Sequence, residues 1–177
     1  LAVRAAYAGV RLYRGPSPMV VIACEVQAPG NVGAIVRVAE AAGASGMVAA
    51  GASADPFGWK ALRGSMGSAL RLPILARAQI DEAVAEARRH GCRVAAAVPR
   101  GGRAPADTDL TGRLAVFVGG EGVGLAADLA AAADVRLTIP MEPPVESLNT
   151  AVTAALILYE VRRQRHAHED SDVKGPQ

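Results

Sequence analysis

Short apolar runs, each closed by a turn signal and followed by a stretch of helical spacing, set the limits on what this chain can fold into. Met19 to Cys24 is a continuous apolar run, as a strand buried on both faces must be. Gly46 to Ala50, Ile74 to Ala76, Arg93 to Val98, Leu114 to Val118 and Val135 to Ile139 read the same way. Between them, Val32, Ile35, Val36 and Ala39 recur at helical period, which predicts a helix over 31–43 capped at Asn31. Ile80, Ala83, Val84 and Ala87 predict a second helix over 80–90. A short helix is expected after Pro56, with irregular backbone around Gly64 and Gly67, and another over 125–131. Residues 99–113 read as a polar loop. Alternating strands and helices mean an α/β fold with a parallel sheet flanked by helices.

The last strand runs into a proline-rich elbow, Ile139, Pro140, Met141, Glu142, Pro143, Pro144, and then into a long Ala/Leu helix. Proline has no backbone N–H, so the strand has to stop there. Ser147 is the expected helix cap, with Leu148, Ala151, Val152, Ala155, Tyr159 and Arg162 at helical spacing behind it. Ligands of α/β proteins sit at such carboxyl ends of strands.

The chain of 177 residues is long enough for one well-buried domain. Aromatic residues make up only 3%, which argues against a stacking platform for single-stranded nucleic acid but not against RNA held through backbone and ribose. A net charge of +2 points only weakly to a polyanionic partner. Cys24 and Cys92 lie in apolar runs and read as buried free thiols. No metal-ligand spacing is present, so no metal is expected, and His90, His166 and His168 read as solvated. Gly46 and Gly51 have the glycine spacing of a phosphate loop, but Ala52 stands where its lysine is required. No nucleophile elbow occurs, and no run of eighteen apolar residues.

Three segments at strand ends hold the chemistry-bearing residues. In the first, Asn31 alone reads as a cap, but Arg37, after Gly33, suits a phosphate or ribose oxygen. In the second, four glycines from Gly119 to Gly124 surround Glu121 and let backbone approach a ligand closely. In the third, Ser147 and Asn149 add a hydroxyl and an amide beside the elbow.

Together these segments resemble the SpoU/TrmH family of RNA ribose 2′-O-methyltransferases, of the SPOUT superfamily. The likeness rests on Asn31, Gly33, Arg37, Ala39 and Gly43; on Gly119, Glu121, Gly122 and Gly124; and on Ile139, Pro140 and Met141 with Glu146, Ser147, Leu148 and Asn149. Arg63, Gly64, Ser65, Met66 and Gly67 add a fourth match, and the likeness spans Met19 to about Arg163. Pro143 and Pro144 depart from it, standing where the family often has a glycine.

The resemblance implies an α/β knot, its carboxyl-terminal helix threaded as a deep trefoil, and a homodimer. It implies S-adenosylmethionine held by Gly119, Gly124, Ile139, Met141 and Leu148. It puts Asn31, Arg37, Glu121, Ser147 and Asn149 around the methyl-transfer site, where a ribose 2′-oxygen attacks a sulfonium methyl. Guanidinium is a poor base, so Arg37 is expected to stabilise the developing alkoxide and neighbouring phosphate. Arg63, Arg71, Arg11 and Arg14, with Arg37, are the expected RNA contacts. The RNA is rRNA or tRNA, with rRNA slightly favoured. The competing expectation is a non-catalytic RNA-binding protein on the same fold. Residues 1–18 are expected to be a basic lead-in, or the remnant of an RNA-binding domain in a longer chain, residues 19–165 the methyltransferase domain, and residues 166–177 a disordered tail. The expected setting is the cytoplasm, away from membranes.

Overall fold

The computed structural model describes residues 11–122 and 124–173, with side chains given as far as His168. Residues 1–10 of the lead-in, Val123 and residues 174–177 of the tail lie outside that range. The strands are β1 (Met19–Cys24), β2 (Gly46–Ala50), β3 (Ile74–Ala78), β4 (Arg93–Ala97), β5 (Leu114–Gly119) and β6 (Val135–Leu137). They form one parallel sheet in the order β3-β2-β1-β5-β4-β6. The chain winds outward from β1 to β3, then resumes on the other side, which leaves β1 beside β5 at the centre. A crevice opens at that reversal, beyond the carboxyl ends of the strands.

The helices are α1 (Pro29–Ala41), α2 (Trp59–Ser65), α3 (Ile80–Arg89), α4 (Ala127–Ala132) and α5 (Thr150–Val173). Side chains alternate across the pleat, so each strand feeds two cores. Met19, Val21 and Ala23 of β1 join Val116 and Val118 of β5 beneath α1 and α5. Val20, Ile22 and Cys24 join Ala115 and Phe117 beneath α3 and α4. Tyr13 seals the second core by stacking on His90, ring centroids 4.4 Å apart, while His90 Nε2 lies 3.0 Å from a Glu86 carboxylate oxygen. His90 is therefore a packed helix end, not a solvated one. Cys24 and Cys92 are both buried free thiols.

Several boundaries differ from the sequence expectation, each for a local reason. Helix α1 starts at Pro29, whose fixed φ suits a first helical turn, and its cap position is Ala28. Asn31 is thus inside the helix. Gly64 belongs to α2, because α1 and α2 cross at glycine: a Cβ on Gly33 would overlap the Ala61 carbonyl and lie 3.1 Å from Gly64 Cα. Strand β6 ends at Leu137, short of Ile139. Helix α5 starts at Thr150, after Asn149, and not behind Ser147. It also continues to Val173, past the tail boundary expected at Arg165, since no glycine or proline interrupts the sequence before Gly175.

Helix α5 buries Ala151, Ala154, Ile157, Leu158 and Val161. Ile157, Leu158 and Val161 each contribute about 2 kcal/mol of gross burial energy. Val152 and Tyr159, from the stripe expected at helical spacing, are instead about half exposed, as is Leu156. Asn31 meets Asn149 at one end of the α1/α5 pair and the Arg162 guanidinium lies beside Gly43 at the other. The two helices therefore run side by side in the same direction. Among the described residues no helix is long and apolar enough to cross a membrane.

Candidate active site

Three loops meet at the carboxyl ends of β1, β5 and β6. The residue that joins them is Asn149. Its Oδ1 accepts the backbone N–H groups of Ala151 (2.9 Å) and Val152 (3.3 Å), capping α5. That bond fixes which way the amide faces, so Nδ2 must point away from the helix. It donates to Glu121 Oε1 at 2.8 Å and to Asn31 Oδ1 at 3.1 Å. Asn31 Nδ2 donates to the same Glu121 oxygen at 2.8 Å. Two amides thus hold one carboxylate oxygen, while Glu121 Oε2 is engaged by no described residue. The cluster can accept a hydrogen bond from an incoming hydroxyl.

Thr150 ties the second loop to the third, its hydroxyl donating to the Gly119 carbonyl at 2.7 Å. The glycine turn folds back on itself, with Gly124 N–H donating to the Gly120 carbonyl at 3.0 Å. A Cβ on Gly119 would overlap Gly124, and one on Gly120 would overlap the Glu25 carbonyl. Only glycine lets β5, this turn and the end of β1 pack so closely.

Behind the cluster lies a cavity of about 640 Å³ lined by Gly119, Gly124, Ile139, Met141, Ser147 and Leu148, with Glu121 and Asn149 at its edge. The volume suits a nucleoside-sized ligand. Ile139, Met141 and Leu148 are half-buried and supply apolar walls; Glu121 supplies the one carboxylate of the lining, suited to a cation. This donor set fits S-adenosylmethionine, an adenosyl group joined to a sulfonium. Pro143 and Pro144 sit in a turn closed by Val145 N–H to the Glu142 carbonyl at 3.1 Å, which leaves Ile139, Met141 and Leu148 on the cavity wall.

The arginines separate. Arg37 is exposed, makes no hydrogen bond or ion pair among the described residues, and is not part of the cavity lining. It lies six residues beyond Asn31 along α1, an axial rise of about 9 Å. Arg63 is exposed over the Trp59 ring, 5.8 Å from its centroid. Arg71 is committed to a bidentate pair with Glu40, both contacts 2.7 Å, which holds the Glu40 carboxyl below its usual range. Its Nε and one terminal nitrogen are engaged there. Arg11 and Arg14 precede β1, at the amino edge of the sheet, about 20 Å of strand from the site. The site does not include them.

Sequence reasoning missed Thr150, the link between loops, and Thr153, Leu125 and the Ala97–Pro99 end of β4, which complete the cavity wall. The signal for β4 was present: its carboxyl end had to reach the same edge in a parallel sheet.

The SpoU rRNA Methylase family profile matches residues 18–159. A 23S rRNA (guanosine(2553)-2′-O)-methyltransferase of Bacillus subtilis, RlmP, is 35% identical over 77% of this chain and 55% of its own length. A 23S rRNA (uridine(2479)-2′-O)-methyltransferase of Streptomyces viridochromogenes is 37% identical over 77% of this chain and 50% of its own. Among solved structures, the SpoU methyltransferase AviRb of Streptomyces viridochromogenes in complex with the cofactor AdoMet superposes with a TM-score of 0.83 at 32% identity, covering 89% of this chain and 62% of that one. The chain spans about half the length of the curated relatives it matches. A profile match over most of the chain, with relatives above 30% identity in both sequence and structure, shows that it belongs to the SpoU rRNA Methylase family.

Proposed function

We propose that this chain carries the S-adenosylmethionine-dependent methyl transfer of an RNA 2′-O-ribose methyltransferase, with rRNA favoured over tRNA as substrate. The observation that carries this is the Asn31–Glu121–Asn149 cluster at the mouth of an apolar, nucleoside-sized cavity. The likeness to relatives named as 23S rRNA 2′-O-methyltransferases, and to a structure with AdoMet bound, supports it.

S-adenosylmethionine, when bound, supplies an activated methyl group. Backbone at Gly119, Gly124, Ile139 and Leu148 would hold it, with Met141 against its apolar parts. Glu121 Oε2 accepts the hydrogen bond of the ribose 2′-hydroxyl and orients it. Asn31 and Asn149 keep the carboxylate from turning, and Ser147 offers a further hydroxyl at the mouth. Arg37 stands outside the cavity, so its task is the phosphate beside the reacting ribose and the negative charge that develops there. Arg63, on the cavity's edge of the sheet, is the second RNA contact.

The half-exposed ridge of Val152, Leu156 and Tyr159 beside α1 is the face we assign to a homodimer. Sedimentation of a Leu156→Asp variant as a monomer is the expected result. The knot is supported by the path of residues 137–138. Val98 N–H donates to the Leu137 carbonyl, while Thr138 N–H donates to the Arg103 carbonyl, so the chain passes between the two ends of the 98–103 loop. A crystallographic chain trace that skirts this loop would remove the knot. A cytoplasmic setting goes with an RNA substrate.

Calorimetric titration of S-adenosylmethionine tests the cavity, and tritiated methyl incorporation into rRNA from a strain lacking the gene tests the reaction. Absence of cofactor binding would end the proposal. Arg37→Ala is expected to keep cofactor binding and to lose methyl transfer by about 100-fold or more. Full activity in that variant would remove Arg37 from the mechanism.

A further inference from the structure

The segment after β2 carries an exposed surface that the proposed reaction leaves unused. Trp59 is 63% exposed at the start of α2, an unusual state for the largest apolar side chain. Phe57 (45%), Met66 (69%) and Leu70 (80%) are exposed around it. Trp59, Lys60, Leu62, Arg63, Gly64 and Met66 line an open groove. Two cations attend the indole, with Lys60 Nζ 5.5 Å and Arg63 Cζ 5.8 Å from the ring centroid. No carboxylate lines this groove. The nearest acid in sequence, Asp55, is occupied, accepting the Phe57 N–H at 2.9 Å and facing Arg77 at 3.5 Å.

The groove is also close to the cluster. A Cβ on Gly64 would lie 3.4 Å from the carbonyl oxygen of Gly30, the residue before Asn31. The Ala54 N–H donates to the Val26 carbonyl at 2.9 Å, which ties this segment to the carboxyl end of β1. An exposed ring beside two cations that no carboxylate pairs among the described residues, on the same edge as a ribose-orienting carboxylate, has the parts of a nucleobase platform: a π-face for the base and positive charge for its phosphates.

We propose that Trp59, with Lys60 and Arg63, stacks an unpaired base of the RNA strand adjoining the methylated nucleotide. This rests on RNA being the substrate. The low aromatic content of the chain does not oppose it, because one exposed indole suffices for one base. Stacking of this kind is sequence-tolerant, so the platform sets affinity and register along the strand, while the cluster acts on the ribose.

Trp59 is the only tryptophan of the chain, so its fluorescence reports on the site directly. The probe is a mixed-sequence single-stranded RNA of about a dozen nucleotides, compared with the same strand annealed to its complement. Quenching of the indole by the single strand, and less by the duplex, is expected. Trp59→Ala is expected to weaken single-strand binding by about tenfold to a hundredfold, with Trp59→Phe recovering most of it. S-adenosylmethionine binding and sedimentation should be unchanged in both variants. Unaltered RNA affinity in Trp59→Ala, or an unquenched indole in the saturated wild-type complex, overturns the platform alone. A change in oligomeric state on losing the indole overturns it too, by making the patch a protein interface. If the wild-type chain binds cofactor but no RNA, the substrate reading and the platform fall together.

Discussion

The two edges of the sheet use polar side chains in opposite ways. At the amino edge, Arg113 closes the structure: Nε donates to the His90 carbonyl at 2.8 Å, one terminal nitrogen to Gly15 and Pro16 at 3.0 and 3.2 Å, and the other to Tyr13 at 3.2 Å. A rigid fork of donors is matched to carbonyls of the segment before β1 and the end of α3. At the carboxyl edge, Asn149 and Asn31 satisfy one oxygen of Glu121 and leave the other, while among the described residues Arg37 and Arg63 are held by no carboxylate. Arg113 commits its donors to the chain itself. Glu121 and Arg37 keep capacity for something that is not the chain, although Arg77 and Arg100, on the same edge, pair with Asp55 and Glu146. An arginine count cannot separate these uses; the partners of each arginine do.

The sharpest way to break this contrast is Glu121→Gln. The glutamine oxygen can still accept from both asparagines, but its second terminal atom becomes a donor and cannot accept a ribose hydroxyl. Methyl transfer should fall by about 100-fold or more, with cofactor binding and thermal midpoint retained, since the residue is exposed. Wild-type activity in this variant would mean that the open carboxylate oxygen does no chemistry. Arg113→Ala is the opposite experiment. It strands two partly buried carbonyls, those of His90 and Tyr13, and should cost about 2 kcal/mol in denaturant unfolding, with activity per folded molecule unchanged. Lost activity at full stability would erase the distinction between the edges.

How far the sequence disclosed this arrangement depends on whether a feature is local. The buried strands were legible because a strand covered on both faces is a continuous apolar run, as Met19–Cys24 is. The start of α5 was not, because Ser147 and Asn149 are both competent caps. The choice is tied to a bond across 31 residues, Thr150 to the Gly119 carbonyl. The buried face of α5 was illegible for a related reason. The first three turns of that helix, 150–161, are apolar nearly all round, so the Val152–Tyr159 stripe is as periodic as the Ala154–Val161 stripe that packs. Arg71 read as an RNA contact because its charge is visible in sequence, whereas Glu40, 31 residues away, is not visibly its partner. Asn31, Glu121 and Asn149 stood out as polar groups at strand ends, and resemblance gave them a joint role; the geometry adds what both lacked: Asn149 turns its amide toward Glu121 because its carbonyl oxygen is committed to a helix.

The smallest effect concerns the two thiols, one at each edge. Cys24 ends β1 beside the site, and Cys92 precedes β4 at the other edge. Burial, with a lesser contribution from Glu25, pushes the Cys24 thiol up to about 12. Burial also raises Cys92, but there Arg113 opposes the rise. A thiol whose folded value exceeds its unfolded one favours the fold while both states are protonated. That advantage is complete below the unfolded value near 9 and is lost as pH climbs from there toward the folded value. Unfolding free energy should therefore decline as pH rises above about 9, and at about pH 9.5 the Cys24 share of that decline is still smaller than the Arg113→Ala loss. Burial raises the Tyr13 phenol as well, so the wild-type slope alone is ambiguous. Cys24→Ala resolves it: denaturant titrations at neutral and alkaline pH should show a shallower decline in that variant. An unchanged slope would mean that Cys24 ionises as readily in the fold as outside it, and that the carboxyl edge is more open at β1 than its packing indicates. In the native protein Cys92 should react with a disulfide reagent before Cys24, and Arg113→Ala should narrow that gap by removing the charge that favours the Cys92 thiolate.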